Sequence, residues 1–346
     1  MKTKNSVALA AVGVTLAAWG IRHAIPPQFS FEGKVCLITG GSRGLGLVMA
    51  RQICAQGGRV ALLARDLGEL KRAHDELAAN GSDVAIVPCD LLDRAQIEQS
   101  VATVLGHFGA VDVLINNAGI IEVGPLEHMK REDFERAMQV HLWAPFNLMW
   151  ELIPHMRQRG GGRIVNITSI GGKIAVPHLA AYCASKLALV GLSDSMRAEL
   201  ARDRIYVTTA VPGMMRTGSH INAKFKGKHA EEFAWFATAN SMPFMSISAE
   251  RAAAKILDAC RRGRPEVTLT LSARAAVIKN ALFPSLIGYG MRFVNRMLPQ
   301  ANDSSGDEVR SGSQSRSTKL TPPWLTTLTD KASRRNNETR SNGSHA

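Results

Sequence analysis

Three side chains in the middle of the chain have the types and spacing for acid–base chemistry at a carbonyl group. Tyr182 and Lys186 are four residues apart at the start of a segment with helical apolar periodicity, so a helix would project both from one face. The ammonium would lower the pKa of the phenol. Ser169 follows a predicted strand and could hydrogen-bond an oxygen on which negative charge develops. Such a tyrosine–lysine pair alone usually marks only a solvated helix face, so other motifs of the chain must show whether this pair is catalytic.

A glycine-rich turn lies far upstream of this trio. An apolar run of strand length, Val35 to Ile38, leads into TGGSRGLG, and a helix-forming segment continues to about Ala55. Glycines let the backbone approach a pyrophosphate, and the helix N-terminus offers unpaired N–H groups. The spacing is GxxxGxG rather than GxGxxG, and a tight turn without a ligand is the competing interpretation. The predicted cofactor-binding residues here are Thr39, Gly40, Ser42, Arg43, Gly44, Leu45 and Gly46.

The end of the second predicted strand indicates which dinucleotide would bind. An NAD site needs a carboxylate there for the ribose 2′-hydroxyl, whereas an NADP site needs a cation for the 2′-phosphate. Ala64 stands where the carboxylate would be, and Arg65 follows it. Arg43 is a second cation within reach. The sequence therefore predicts NADP(H), and its oxidised nicotinamide would further favour the ionised form of Tyr182. The alternative is a solvated Arg65 beside Asp66.

Two further loops fit the same cleft. Asp90 and Leu91 follow the third strand, where a carboxylate could accept a hydrogen bond from an adenine amino group. Small residues after the fourth strand would let the backbone pass close to the cofactor; they are Asn117, Ala118 and Gly119. Either loop alone is an ordinary turn.

Strands and helices alternate from Gly33 to about Leu271. The predicted strands are Val35–Ile38, Arg59–Leu63, Val84–Pro88, Val111–Ile115, Arg163–Ile167, Ile205–Ala210 and Val267–Leu271. The predicted helices include Leu67–Asn80, Arg94–Phe108, Glu132–Gln158 and Tyr182–Ala201. This alternation predicts an α/β fold, a single doubly wound Rossmann-type domain over residues 33–274 with about seven parallel strands and helices on both faces.

Composition narrows the partners. The net charge of +13 raises nucleic acid as a partner, but no basic stretch interleaved with aromatic residues appears. An anionic cofactor and an anionic membrane surface fit the charge better. The five cysteines show no CxxC pair and mostly lie in apolar runs, which indicates reduced thiols and predicts neither a disulfide framework nor a metal site.

Together these motifs resemble the classical short-chain dehydrogenase/reductase family from about Phe31 to Leu271. TGxxxGxG is Thr39 to Gly46, NNAG is Asn116 to Gly119, and Ser169 stands thirteen residues before the tyrosine of the YxxxK pair. The resemblance implies catalytic roles for Ser169, Tyr182 and Lys186, and cofactor contacts by Tyr182 and Lys186 as well. It adds Pro212, Gly213 and Thr217 as cofactor-binding residues, the last near the nicotinamide carboxamide. Family members are commonly dimers or tetramers.

One position departs from the family pattern. The family's fourth catalytic residue is an asparagine that helps hold a water relaying protons to the lysine, and His141 occupies that position. An imidazole can hold a water too, so a catalytic role for His141 is one interpretation. The other is that His141 only packs in a helix bent by Pro145.

The chain begins with a hydrophobic segment. Lys2 and Lys4 precede an uncharged, largely apolar run from Val7 to Ile21. We expect residues 1–25 to anchor the protein to a membrane, with the catalytic domain facing the cytoplasm because of its cofactor. A cleaved signal peptide and a peripheral helix are the alternatives.

The region after Thr217 matches the family's variable substrate lid, about residues 214–247. It is rich in large apolar side chains that could cover a lipid-like substrate or could simply pack the lid; they are Met214, Met215, Phe225, Phe233, Trp235, Phe236, Met242, Phe244 and Met245. The basic segment Lys224 to His229 could meet an acidic head group. Residues 275–299 indicate an interfacial amphipathic segment or an oligomer contact. Residues 300–346 predict a disordered tail.

The sequence thus predicts a membrane-associated, NADP(H)-dependent oxidoreductase that acts on a carbonyl or secondary alcohol. Reduction of a bulky, lipid- or steroid-like ketone is the favoured reaction. The alternatives are a soluble 3-oxoacyl-thioester reductase and a non-catalytic NADP-binding sensor.

Overall fold

A computed structural model describes residues 26–241, 246–301 and 303–339. The expected anchor, residues 1–25, lies outside the described residues, and so do Met242, Phe244 and Met245 of the expected lid. Within the described ranges no helix is both long and apolar enough to cross a bilayer.

The centre of the fold is a sheet of seven parallel strands with the order β7-β6-β5-β4-β1-β2-β3. Its strands are β1 (Val35–Thr39), β2 (Arg59–Ala64), β3 (Val84–Pro88), β4 (Val113–Asn116), β5 (Gly162–Ile167), β6 (Ile205–Val211) and β7 (Glu266–Thr268). All five residues of β1 are buried, as expected for a central strand covered on both faces. The predicted α/β fold is confirmed, and each of the seven predicted strands is present.

Helices cover both faces, and two apolar clusters fill the layers between them and the sheet. The helices are α1 (Gly44–Cys54), α2 (Leu67–Ala78), α3 (Arg94–Phe108), α4 (Arg131–Met138), α5 (Ala144–Gln158), α6 (Ala180–Leu200), α7 (His229–Ser241), α8 (Ala249–Arg261), α9 (Leu271–Leu282), α10 (Pro284–Met297) and α11 (Pro323–Arg335). Short strands and helices complete the described part; they are Glu122–Val123, Met214–Arg216, Lys224–Phe225, Ser246–Ser248, Arg310–Ser311, Ser219–Asn222 and Gly312–Ser315.

Most element boundaries differ from the sequence prediction by one or two residues, and two elements differ more. The last strand ends at Thr268 rather than Leu271, because the Thr270 side chain accepts from the Ala273 N–H at 3.2 Å and so starts α9. The helix predicted over 132–158 is interrupted by a π-helical turn, Gln139–Trp143. Pro145 follows this turn and has no N–H to donate, so the regular hydrogen-bond pattern cannot pass through it.

The prediction of a disordered tail is not what the structure gives. Residues 303–339 fold back over the lid, and α11 packs against α7. Four small polar residues of the tail are fully buried at helical spacing; they are Thr326, Thr329, Ser333 and Asn336. Hydrogen bonds satisfy some of these groups: Thr329 contacts Ser241 at 3.1 Å through the two hydroxyl groups, and Thr326 donates to Asp330 at 2.8 Å. The Ser333 hydroxyl and the Asn336 amide nitrogen have no partner among the described residues.

Candidate active site

A cleft of about 860 Å³ lies at the carboxyl ends of the strands. Seventeen of the twenty predicted site residues line it, and they are Gly40, Ser42, Arg43, Gly44, Leu45, Arg65, Asp90, Leu91, Asn117, Ala118, Gly119, Ser169, Tyr182, Lys186, Pro212, Gly213 and Thr217. The remaining three, Thr39, Gly46 and His141, lie behind its wall. The topology therefore brings motifs from six loops and from α6 to one place.

The glycine turn is held against the Asn116–Gly119 loop by hydrogen bonds to Thr39. The Thr39 hydroxyl accepts from the N–H groups of Asn117 and Ala118, each at 3.0 Å. The Asn117 amide donates to the carbonyl oxygens of Thr39 and Gly40. A Cβ at Gly46 would clash with the Gly40 carbonyl oxygen, so this turn tolerates only glycine there. Thr39 and Gly46 thus shape the cleft from behind.

The catalytic trio comes from the end of β5 and the first two turns of α6. Lys186 is buried, and its ammonium donates to the Ile167 carbonyl oxygen at 2.9 Å. The side chains of Tyr182 and Ser169 are hydrogen-bonded to each other. The Ser169 hydroxyl also accepts from the Gly171 N–H at 3.1 Å, which fixes its orientation. The structure therefore brings together the three residues that the sequence singled out.

Burial shifts the pKa values of the two titratable members of the trio in opposite directions. Burial raises the pKa of Tyr182 to about 12, against the hydrogen bond from Ser169 that lowers it. Burial lowers the pKa of Lys186 to about 7. The sequence led us to expect a lowered pKa for Tyr182, but desolvation of the phenolate outweighs the effect of its neighbours in this chain alone.

His141 is fully buried, and both of its ring nitrogens have protein partners. Nε2 accepts from the Ile120 N–H at 3.1 Å. Nδ1 lies 2.8 Å from the Ser185 hydroxyl, which itself donates to a backbone carbonyl of α6. These contacts require Nδ1 to carry the proton, and burial together with the charge on Lys186 holds the pKa of His141 well below its ordinary value.

This arrangement changes the role expected for His141. Because Nε2 and Nδ1 are both used, neither is left to hold a relay water in the described structure. The neutral imidazole instead joins the Ile120 backbone to α6 between Tyr182 and Lys186. These contacts favour the second of the two interpretations of His141, packing within the helix, and we propose a positioning role for it.

The opposite end of the cleft carries charges that are already paired. Arg43 forms an ion pair with Glu69 at 2.7 Å, and Ser42 donates to the other oxygen of the same carboxylate at 3.0 Å. Arg65 is exposed on the cleft wall, and no hydrogen bond or ion pair of its side chain is found among the described residues. Of the two arginines predicted to select NADP, Arg65 is thus the one with a free guanidinium.

The remaining predicted cofactor residues line the rim. Asp90 accepts from the Leu92 N–H at 3.1 Å, which leaves its second carboxylate oxygen for a ligand. The Pro212 carbonyl accepts from the Ile170 N–H at 2.7 Å, so the Pro212–Gly213 turn is fixed to the loop after β5. The Thr217 hydroxyl lies at the start of the lid and accepts from the Ser219 N–H.

The lid residues divide into two groups. Met214, Met215, Trp235 and Phe236 line the cleft, as expected for an apolar substrate. Phe225 and Phe233 do not line the cleft and pack against each other at 5.6 Å, in a buried cluster that also contains Phe236, so they hold the lid on the domain. The basic segment Lys224 to His229 was expected to meet an acidic head group. Lys226, in the middle of this segment, is not available for that contact, because it is buried and paired with Asp133.

Sequence reasoning missed two acidic residues of the cleft, Glu69 and Glu338. Glu69 had a signal: Asp66 caps α2 by accepting from the Glu69 N–H at 2.8 Å, which fixes Glu69 in the first turn beside the glycine motif. Glu338 had none, because it reaches the cleft from the far end of the chain. Its carboxylate accepts from the Gly218 N–H at 2.6 Å.

The cleft fits a dinucleotide. Bare backbone lines its floor, because a Cβ at Gly40 would lie 3.1 Å from Ala118 and one at Gly119 would lie 3.1 Å from His141. The N-terminus of α1 offers N–H groups to a diphosphate, and Arg65 offers a cation to a further phosphate. The donors and the cation suit an anionic cofactor, although Glu69 and Glu338 also line the cleft and the Gly44 N–H donates to the Asn336 carbonyl at 2.8 Å.

Comparison with known proteins agrees with this geometry. The profile of the family described as short chain dehydrogenase matches residues 34–226. An uncharacterised oxidoreductase of Mycobacterium tuberculosis is 34% identical over 279 residues, which cover 79% of this chain and 76% of that protein. A fatty acyl-CoA reductase of Acinetobacter baylyi is 33% identical over 281 residues, covering 81% and 90%.

A solved structure supports the same assignment. The crystal structure of a metagenomic short-chain oxidoreductase in complex with NADP has a TM-score of 0.58 and 31% sequence identity. The likeness covers 70% of this chain and all of that one.

Proposed function

Because the chain belongs to the short-chain dehydrogenase family, we propose that it is an NADP(H)-dependent oxidoreductase that reduces the carbonyl group of a bulky apolar substrate. The observation that carries the proposal is a single cleft with Ser169, Tyr182 and Lys186 at one end and Arg65 at the other. The catalytic trio argues against a non-catalytic sensor, and Arg65 favours NADP over NAD.

In this mechanism the chain supplies the proton and the orientation. The hydride would come from a reduced nicotinamide held in this cleft. The Ser169 hydroxyl holds the substrate oxygen, and the Tyr182 phenol donates its proton to that oxygen as negative charge develops. Lys186 stabilises the resulting phenolate by its positive charge and would hold the cofactor ribose. His141 keeps the α6 segment between them in place.

The protonation state of Tyr182 suits the reductive step. A tyrosine with a pKa of about 12 is protonated at neutral pH and is therefore ready to act as an acid. Oxidation would require the same group as a phenolate. The usual cellular excess of NADPH acts in the same direction.

The apolar cleft wall supports a long or bulky substrate. Met214, Met215, Trp235 and Phe236 offer adaptable apolar contacts beside the catalytic trio. The similarity to a fatty acyl-CoA reductase favours a fatty carbonyl compound, and it makes an acyl thioester the second candidate substrate.

A turnover assay tests the proposal. NADPH oxidation is followed with a panel of long-chain aldehydes, steroid ketones and acyl-CoA thioesters, on the protein and on Tyr182→Phe. We expect turnover with at least one apolar carbonyl and a loss of about 10³-fold in kcat in the variant, with NADPH binding retained. NADPH binding without turnover on any member would favour the sensor instead.

Two broader expectations accompany the enzyme. We propose that residues 1–25 attach it to a membrane with the catalytic domain in the cytoplasm, and that it forms a homodimer or homotetramer. Removal of residues 1–25 should reduce the share of protein in the membrane fraction, and light scattering should give the mass of the oligomer.

A further inference from the structure

Helices α9 and α10 form a hairpin that leaves an unusually apolar surface exposed. Nine of the eighteen large exposed hydrophobic residues in the described part of the chain lie in residues 271–297. On α10 they form a stripe at helical spacing, namely Leu286, Tyr289, Phe293 and Met297, each more than 60% exposed. No residue of α10 is buried. The face is therefore built to be covered by something else.

The charges on the hairpin indicate what covers it. Residues 267–302 contain four cations, Arg274, Lys279, Arg292 and Arg296, and no acidic residue. The guanidinium of Arg292 lies over the Tyr289 ring at 5.4 Å, so its charge borders the apolar stripe. A symmetric contact with a second copy would bring these cations against each other without a carboxylate between them. An anionic lipid surface matches both the apolar stripe and the positive rim.

We propose that the α9–α10 hairpin inserts its apolar face into the surface of an anionic membrane. The hairpin leaves the domain beside the cleft, since Ala273 packs where a Cβ on Gly213 would lie only 3.1 Å away. The Asn280 side chain donates to the Lys173 carbonyl at 3.0 Å and ties α9 to the domain. Insertion would therefore hold the cleft at the lipid surface, where apolar substrates concentrate.

An environment-sensitive fluorophore on Leu286→Cys tests this proposal in the full chain. Four native cysteines are buried, and burial raises the thiol pKa of the partly buried Cys54, so the introduced thiol reacts preferentially. Gln158→Cys is the control, since Gln158 is the exposed last residue of α5 and precedes the amino end of β5, whereas the cleft lies at the carboxyl ends of the strands. With vesicles of equal parts phosphatidylcholine and phosphatidylglycerol, we expect the emission of the label at position 286 to shift to the blue and to rise severalfold in intensity. The label at position 158 should show neither change.

The lipid charge gives a second readout. Pure phosphatidylcholine vesicles should bind the hairpin more weakly, and Arg292→Gln with Arg296→Gln should weaken insertion into the anionic vesicles about fivefold for each cation removed. If the protein co-sediments with the anionic vesicles but the fluorescence of the label at position 286 does not change, the proposal is overturned. A blue shift that appears without vesicles and grows with protein concentration would also overturn it, because a second copy of the chain would then cover the face. A blue shift with vesicles that disappears when residues 1–25 are removed would overturn it as well, because membrane binding would then depend on that segment.

A different observation concerns the tail, and it rests on the proposed function. Residues 336–338 lie on the glycine turn itself. The Asn336 carbonyl accepts from the Gly44 N–H at 2.8 Å, and the Asn337 amide donates to the Ser42 carbonyl at 2.9 Å. The Glu338 carboxylate bonds Gly218 and lies 2.9 Å from where a Cβ of Gly44 would be. Thus a carboxylate of the chain stands at the helix N-terminus that would bind the pyrophosphate.

We infer that this tail segment competes with the cofactor and must move when the dinucleotide binds. The helix α11 brings it there, and Arg51 holds it by donating to the Asn336 side chain at 2.7 Å and to the Arg335 carbonyl at 3.0 Å. The charged groups that face Glu338 are Arg43 of the glycine turn and Glu69 of α2. Burial raises the pKa of Glu338 to about 7, so the docked carboxyl is only partly ionised near neutrality.

The test is a fluorescence titration of NADPH into the full chain, Glu338→Ala and a chain that ends at Arg335. Glu308→Gln is the control, since Glu308 is an exposed tail carboxylate paired with Arg310. We expect roughly tenfold tighter binding in both tail variants and no change in the control. Unchanged or weaker binding without Glu338 would overturn the competition. If none of the variants, including the truncated chain, binds NADPH, the nicotinamide assignment itself is overturned, and the competition between the tail and the cofactor is overturned with it.

Discussion

The two ends of the cleft are built by different means. The catalytic end consists of residues 120–186, and its polar groups are satisfied by backbone and side chains of the same region, such as the Ile167 carbonyl at Lys186 and the Ile120 N–H at His141. The phosphate end combines residues from opposite ends of the chain, since Glu338 joins Arg43 and Glu69 there. The first end is set by the sheet topology, whereas the second is completed by a segment that can leave.

The largest effect should come from a substitution that displaces the glycine turn from behind. In Gly46→Ala the new Cβ would clash with the Gly40 carbonyl, so the turn must shift. We expect destabilisation of about 1–3 kcal/mol and NADPH binding weakened by about 100-fold. Gly106→Ala is the control, because nothing lies within 4 Å of a Cβ there and alanine is the better helix former. Near-normal NADPH binding by Gly46→Ala would show that the turn is not the phosphate cradle.

The pH dependence should separate the two ends, because each has a group with a pKa of about 7. At the catalytic end, Lys186 is charged below pH 7 and loses its proton above it. We therefore expect kcat for reduction, measured at saturating NADPH, to fall about tenfold for each pH unit above roughly 7. Tyr182 stays protonated over that range. A flat kcat profile to pH 9 would contradict this role of Lys186.

At the phosphate end the sign is opposite. The pKa of Glu338 is raised on docking, so docking of the tail is favoured at low pH and is lost as the pH rises through about 7. The affinity for NADPH should therefore increase roughly tenfold as the pH rises from 6 to 8. Glu338→Gln should remove the part of this dependence that comes from the tail. A pH dependence that is identical in the variant would assign the effect to the cofactor phosphate alone.

A smaller effect is expected at His141. His141→Phe leaves the Ile120 N–H and the Ser185 hydroxyl without their partner, and we expect kcat to fall by roughly tenfold through misplaced α6 residues. His141→Asn can still accept from Ile120 and should recover most of this loss. Equal loss in both variants, with the pH profile of kcat displaced, would return His141 to a role in proton transfer.

The sequence was most informative where local pattern and chemistry coincide. The seven strands were predictable because apolar β-branched runs alternate with helical periodicity, and Ser169, Tyr182 and Lys186 follow from motif spacing. The π-helical turn before Pro145 was not, since a proline in a helix permits either a kink or a break. The burial of Lys226 with Asp133 was also hidden, because a charge run gives no sign of its partner.

The tail was predicted wrongly for a physical reason. The buried residues of α11 and its C-cap are Thr326, Thr329, Ala332, Ser333 and Asn336, so apart from Ala332 the helical period is carried by small polar residues. A hydrophobic pattern cannot detect such a face. The contact of Glu338 with Gly218 spans 120 residues and has no local signal at all.

The most direct test of the account is the choice of cofactor. NADPH and NADH are titrated into the protein, Arg65→Ala and Arg94→Ala, the last being a control at an exposed arginine on α3. The account predicts that NADPH binds roughly 10- to 100-fold more tightly than NADH, that Arg65→Ala removes this preference, and that Arg94→Ala keeps it. Equal binding of the two cofactors, unaffected by Arg65→Ala, would contradict it.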